Sequence, residues 1–413
     1  MKKFAVVAAM ATALLGSTAV NAADVEVIHW WTSGGEQAAV SVFAREFDAL
    51  GEDKWVDTAI AGGENARSAI LQRTLGGDPP GAAQFNISRQ FEELAEAGLL
   101  LDLTELATTE GWRDFIRPAA ILDVCEFEGK IYCVPVNIHS WQWAWASIPA
   151  FEKAGVPLPK NLTEFIESAP KLQEAGITPF AIGGEGWQIG GAMGVVMLSQ
   201  LGKAGHEAIY RDRNLEVAGG PEVKKAIEIF KSLKTFTDEG SANRTWNDTT
   251  NLVIQDQAAL QIMGDWARGE FAVAGEQPGV DYACIAGPSE DPYLDTGGDI
   301  FLFPKQDDAA VEAAQLKMAS MMVNPQVQAL FNNAKGSLPV RDDVDMSLAD
   351  DCMKQGIEIL KNPDSVIQGA GIFMLQDSIT QMDDLWAEAW ANPDMSVEDI
   401  QARFVDIIAS AEK

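Results

Sequence analysis

The feature that most constrains this chain is an alternation in the period of its apolar residues. Val25, Val27 and His29 face one way and Glu26 and Ile28 the other, as in a short strand. Val40, Phe43, Phe47 and Leu50 then fall at helical spacing until Gly51. Residues 55–60 read as a strand, and Ile70, Leu71 and Leu75 mark a helix over 65–75, stopped by Gly76-Gly77-Asp78-Pro79-Pro80. Residues 82–86 form a strand and 89–97 a helix closed by Gly98. Strands alternating with helices build a parallel or mixed sheet with covering helices, which predicts the α/β class.

Further on, helices are expected over 163–175, 222–236 and 249–258, and strands over 259–263, 281–285 and 299–303. Helices follow at 311–322 and 326–334, and the tail, 397–411, sets Ile400, Phe404, Ile407 and Ile408 along one side. A length of 413 residues suggests two domains. No repeat and no Gly/Ser-rich linker divides them, so the chain is expected to cross between domains more than once.

The first residues are read as a targeting signal. Lys2 and Lys3 precede an apolar run over 4–15, and Val20-Asn21-Ala22 offers small residues for cleavage before Ala23. The run is shorter than the ~20 apolar residues that span a bilayer. No cysteine marks the cleavage site, so a soluble exported protein is expected. With 61 Asp plus Glu against 30 Lys plus Arg, the net charge of −31 argues against nucleic acid and anionic membrane as partners, since both need a basic footprint.

An exported chain meets an oxidising compartment, so Cys125, Cys133, Cys284 and Cys352 are read as disulfide partners. Four cysteines allow three pairings. Cys125 and Cys133 flank a hairpin turn at Glu128-Gly129-Lys130, which favours 125–133 and leaves 284–352. No metal site is expected, because no CxxC occurs and His29, His139 and His206 are scattered.

Twelve Trp against four Tyr is an unusual balance. Trp30 and Trp31 end the first strand, before the turn Thr32-Ser33-Gly34-Gly35-Glu36. In an open α/β sheet, ligands bind beyond the carboxyl ends of strands. Trp187 lies in Gly183-Gly184-Glu185-Gly186-Trp187-Gln188, Trp246 follows Asn243-Arg244-Thr245, and Trp266 follows Met263-Gly264-Asp265. A flat indole suits the C–H face of a sugar ring, and charged groups hydrogen-bond its hydroxyl rim. Trp112, Trp386 and Trp390 are assigned to packing. Trp141, Trp143 and Trp145, spaced by two, fall on one side of a strand, with at least one in the core. HExxH, GxSxG and P-loop motifs are absent. A glycosidase needs only two carboxylates, so a secreted carbohydrate-cleaving enzyme stands as the alternative. A binding protein for a non-sugar osmolyte is another. His139, in Pro135-Val136-Asn137-Ile138-His139-Ser140, reads equally as a general base, a ligand contact or a structural histidine.

These segments together, with Gly297-Gly298-Asp299 and Ala334-Lys335-Gly336-Ser337-Leu338-Pro339-Val340-Arg341, resemble the extracellular solute-binding proteins of sugar ABC transporters. More narrowly, the chain is similar to the glucose/mannose/galactose-binding branch, from about residue 24 to the C-terminus. The resemblance implies a two-lobed periplasmic-binding-protein fold (type II), whose lobes are joined by crossing hinge segments and close on a ligand. It implies a signal peptide over 1–22, a first lobe from 23–138 and 293–338, and a second from 139–292 and 339–413. It implies stacking and wall contacts from Trp30 and Trp31, hydroxyl acceptors at Glu36 and Asp299, stacking from Trp266 and a donor at Lys335. Cys284 and Cys352 match a pair of family cysteines. Where relatives often carry Lys after a strand like 82–85, this chain has Asn86, with Arg89 three residues on. No His follows His206, although some relatives carry a ligand-contacting one near the C-terminus. The expected protein is a periplasmic monomer without cofactor or enzymatic activity. It captures a monosaccharide and delivers it to permease subunits in the inner membrane.

Overall fold

The computed structural model describes residues 22–289 and 291–411; the segment read as the export signal lies almost wholly outside them. Two sheets organise the chain, and the α/β expectation holds. The first has the strand order Lys54–Ala59, Asp24–His29, Ala82–Asn86, Asp299–Leu302, Cys133–Pro135. Its first three strands are parallel and its last two antiparallel to their neighbours, so the sheet is mixed. The strand that completes its middle arrives more than 200 residues after the strand it pairs with, as Asp299 lies opposite Asn86.

The helix Gly34–Asp48 covers this sheet. Its start is a capping box, in which Ser33 Oγ accepts from the Glu36 amide while the Glu36 carboxylate reaches back to the Ser33 amide. Phe43 on its buried face stacks on Phe331 of the helix Pro325–Lys335, at 4.0 Å between ring centroids. Full burial of one such ring contributes about 2–3 kcal/mol.

The second sheet has the order Tyr282–Ala286, Trp143–Ser147, Ala258–Ile262, Thr178–Ala181. Every residue of Trp143–Ser147 is buried, because both faces are covered. Trp143 and Trp145 stack on one face at 5.7 Å, while Ala144 and Ala146 face a core filled by the helices Gly186–Tyr210, Pro221–Lys234, Gln376–Ala391 and Val397–Ser410. Each sheet with its helices is one lobe.

Three short stretches of chain meet between the sheets. Ile138 bridges Leu338 and His139 bridges Gly297, with Ile138 N–H donating to Leu338 O at 2.7 Å and His139 N–H to Gly297 O at 3.1 Å. Gly298 has φ +151°, and a side chain there would collide with the Asn137 carbonyl. Only glycine allows these segments to lie so close.

One expectation needs correction, and one long helix lies where none was expected. The helix expected over 249–258 is Trp246–Ile254, capped by Thr245. It cannot continue, because Asp256 adopts φ +57° and the strand already begins at Ala258. The glycine-rich stretch around Trp187 is the start of the 25-residue helix Gly186–Tyr210, with Gly202 breaking its geometry.

Both disulfides form as expected. Cys125–Cys133 closes the hairpin, and Cys284–Cys352 ties the edge strand Tyr282–Ala286 to the helix Asp351–Leu360. Among the described residues, no helix is long and apolar enough to cross a membrane.

Candidate functional site

The crossing segments carry a buried charge hub. His139 Nδ1 makes a short hydrogen bond to Asp265 Oδ1, and His139 Nε2 lies 3.1 Å from Asp299 Oδ2. Asp299 also accepts from Asn137 Nδ2 at 2.9 Å and from Gln84 Nε2 at 2.9 Å. Asp265 accepts from the Ser140 amide at 3.1 Å through its other oxygen. Gln84 and Asp299 stand on the first sheet, Asn137 and His139 on a crossing segment, and Asp265 in the turn that follows the strand Ala258–Ile262 of the second sheet, so the hub draws on both lobes.

Burial by itself would push the His139 imidazolium toward its neutral form. The Asp265 carboxylate and hydrogen bonds to Asp265 and Asp299 outweigh it, so its pKa is raised. Asp299 moves the opposite way. Burial disfavours its charge, yet His139, Lys335 and Asn137 together hold its pKa below the usual carboxylate range. Both ring nitrogens of His139 are thus occupied by carboxylates.

Lys335 ends its helix with its side chain only 3% exposed. Its Nζ lies 5.7 Å over the Trp31 ring and 3.8 Å from Glu36 Oε1, beyond hydrogen-bond distance. The ammonium therefore sits in the hub without a hydrogen-bonded partner among the described residues. Behind the hub, Ser140 Oγ donates to Asp295 Oδ1 at 2.7 Å, and the Trp141 amide adds a bond at 2.8 Å. Burial still dominates and pushes Asp295 up to about 6.

Next to the hub stands an aromatic box. Trp266 meets His139 edge-on at 5.2 Å. It also meets Trp141 at 5.0 Å and Trp187 at 6.4 Å, and Trp141 meets Trp187 at 5.7 Å. None of these three indoles is fully buried, and Trp187 is 38% exposed. Trp30, half-buried, extends the site on the first lobe. Its amide donates to Gln84 Oε1 at 2.9 Å and Arg67 lies 5.4 Å over its ring. Arg67 in turn donates to Asn86 Oδ1 at 3.2 Å.

Of the residues anticipated from sequence, Trp30, Glu36, Asn86, His139, Trp187, Trp266, Asp299 and Lys335 come together here. Glu36 carries an additional duty as the helix cap. Three do not join them as expected. Trp31 is 1% exposed and packs against Phe301 and Phe331 in the first core, so it offers no face to a ligand. Residues 30 and 31 are neighbours and project to opposite sides of the chain. Arg89 is bound to Glu92 through two hydrogen bonds of 2.9 and 3.0 Å. Trp246 begins its helix half-buried, with no ring contact to the box.

Gln84, Arg67 and Asp295 carry no local signal in the sequence, while Asn137 and Asp265 stand in segments that carry the resemblance without anything there to single them out. Trp141 was within reach, since it stands first in the 141/143/145 series, between Ser140 and Gln142. Chemically, the site offers flat apolar faces beside fixed charges. Asp265 and Asp299 are both engaged with His139. Among the described residues, no group of His, Cys, Asp and Glu could hold a metal ion.

The sequence profile of the bacterial extracellular solute-binding proteins matches residues 31–329. A probable sugar-binding periplasmic protein of Rhizobium meliloti is 38% identical over 363 residues, covering 87% of this chain and 86% of that one. Among solved structures, a bacterial solute receptor described as preferring β-D-galactopyranose superposes with a TM-score of 0.79 at 18% identity, covering 94% of this chain and 98% of its own. A chitin oligosaccharide binding protein superposes with a TM-score of 0.78 at 16% identity, covering 94% and 98%.

Proposed function

This chain belongs to the bacterial extracellular solute-binding proteins, and on that premise we propose that it closes around a sugar and delivers it to an ABC importer in the inner membrane. The family works by capture and release, outside the cytoplasm. We infer that the ligand is a monosaccharide such as glucose, mannose or galactose. The export signal is cleaved before Ala23. The lobes are 23–138 with 293–338 and 139–292 with 339–413, and the protein acts as a monomer.

The observation that carries this reading is the box of Trp141, Trp187 and Trp266 set against the Lys335–Asp299 hub. Indole faces take the C–H side of a pyranose. The free donors of Lys335 suit ring or hydroxyl oxygens, and a charge-assisted bond of this kind is about twice as strong as a neutral one. A micromolar affinity is about −8 kcal/mol. Spread over about a dozen heavy atoms, that lies within the ceiling for small ligands.

Intrinsic tryptophan fluorescence, titrated with hexoses, pentoses, disaccharides and polyols, tests it. A saturable change with a hexose supports the reading. A flat response to every sugar, after unfolding and refolding have stripped retained ligand, refutes it. Release of reducing ends from oligosaccharides would instead favour the hydrolase.

A further inference from the structure

We propose that Asp383 is a specificity-determining residue of the cleft, its carboxylate accepting hydrogen bonds from hydroxyls of the sugar that lies against Trp141 and Trp187. This rests on the sugar-binding reading above. Asp383 sits on the helix Gln376–Ala391, near the end of the chain, and neither its neighbours in sequence nor the motifs around the hub point to it.

The placement comes from two adjacent glycines. A methyl group on Gly190 would collide with Asp383 Oδ1, and one on Gly191 would collide with the Trp141 ring. The two side chains therefore rest side by side on the first turns of the helix Gly186–Tyr210, whose second residue is Trp187. Trp141 is itself in edge contact with Trp187 and Trp266. The carboxylate of Asp383 thus borders the aromatic box and shares its floor.

It is also unspent. The carboxylates of the hub and of the first helix start have protein donors: Asp265, Asp295 and Asp299 each accept from backbone or side chain, and Glu36 caps a helix. Asp383 has no hydrogen bond or ion pair among the described residues, although it is half-buried. Its surroundings offer no cation. Asp384 lies beside it on the same helix and Glu64 faces it from the helix Gly63–Leu75 of the first lobe. The phenol of Tyr210, on the neighbouring helix, is close enough to be raised by it. Burial first, then Asp384 and Glu64, push the Asp383 carboxyl up to about 7. A carboxylate in such a place gains from donors that carry no charge of their own and arrive with a ligand. Hydroxyls of a sugar meet that description. The position opposite Glu64 also means that ligand hydroxyls enter between two acids of opposing lobes as the cleft narrows.

The test is calorimetric titration of wild type, Asp383→Asn and Asp383→Ser with the best sugar of the fluorescence panel and with its singly deoxygenated analogues. Asp384→Asn serves as the exposed control. Asparagine keeps the shape and removes the charged acceptor. The expected result is a loss of tenfold or more for the parent sugar in both Asp383 variants, with unchanged thermal melting. For one deoxy analogue, wild type and variants should bind within twofold of each other, because the hydroxyl that Asp383 holds is missing from the ligand. Asp384→Asn should match wild type throughout. If wild type binds the sugar and both Asp383 variants bind it equally well, this assignment is overturned and the sugar reading stands. Equal losses against every analogue would make Asp383 a structural residue and also overturn it. If wild type binds no sugar, both fall.

Discussion

The charge hub and the aromatic box lie in contact, yet they are built on opposite terms. In the hub, His139, Asp265, Asp299, Asn137 and Gln84 are all buried and bonded to one another. In the box, Trp141 meets Trp187 and Trp266 edge to face, Trp187 and Trp266 are tilted to each other, and all three keep some exposure beside a carboxylate that has no hydrogen-bonded partner among the described residues. A buried charge is tolerable only when paired, so the hub is a closed account of donors and acceptors that fixes the crossing segments. An aromatic ring tolerates an open face, so the box can wait for a ligand. Rigidity and recognition are thereby assigned to different chemistry a few ångströms apart, with Lys335 the one hub member whose donors stay available.

Substitutions on either side separate stability from binding. Trp31→Ala should cost the most stability, about 3–5 kcal/mol, since it empties a fully buried indole site in the first core. Chemical denaturation would measure it, and a loss below 1 kcal/mol would return Trp31 to the cleft wall. Asp265→Ala should cost about 3 kcal/mol or more by leaving the His139 cation beside a single carboxylate. Its melting point should fall before its sugar affinity does, in proportion to the unfolded fraction. Trp266→Ala should reverse that order. It should weaken sugar binding by more than ~1 kcal/mol through lost stacking and leave the melting point nearly unchanged. Equal affinity in mutant and wild type would defeat the assignment.

The smallest effect expected is a pH slope. Asp295 is raised to about 6 in the folded protein, above the ~3.9 of a free aspartate. Between these values the native state holds a proton that the unfolded chain has released. This group therefore makes stability fall as pH rises through about 4 to 6, and adds no slope above that window. Asp295→Asn should remove that component when melting curves are compared from pH 4 to 7. Identical pH profiles would show that Asp295 is not titrating there.

Much of the first lobe was legible in the linear pattern. Its strands at 24–29, 54–59 and 82–86 and the helix after Gly34 follow from local alternation, and local alternation is what sterics and burial enforce on a sheet covered by helices. The helix Gly186–Tyr210 was missed for a physical reason. Gly190 and Gly191 look like helix breakers, but their bare backbone is the surface on which Asp383 and Trp141 rest. The exchange of Trp31 for Trp141 as a site aromatic has a similar cause. Which of two neighbouring side chains faces the cleft depends on what the other packs against, and Phe301 and Phe331 come from the far end of the chain.

What the sequence by itself determined is therefore the material: an α/β alternation, two disulfide pairs, a surplus of tryptophan, and the short segments that resemble sugar receptors. Each is a matter of residues within about a dozen positions of one another, or of cysteines with few partners to choose from. What only the tertiary structure decided is which of those residues act together. Asp265 reaches His139 across 126 positions and Asp299 reaches Gln84 across 215. The pairing energy of buried charges depends on distances of a few ångströms and on the exclusion of water. Only the packed fold sets either.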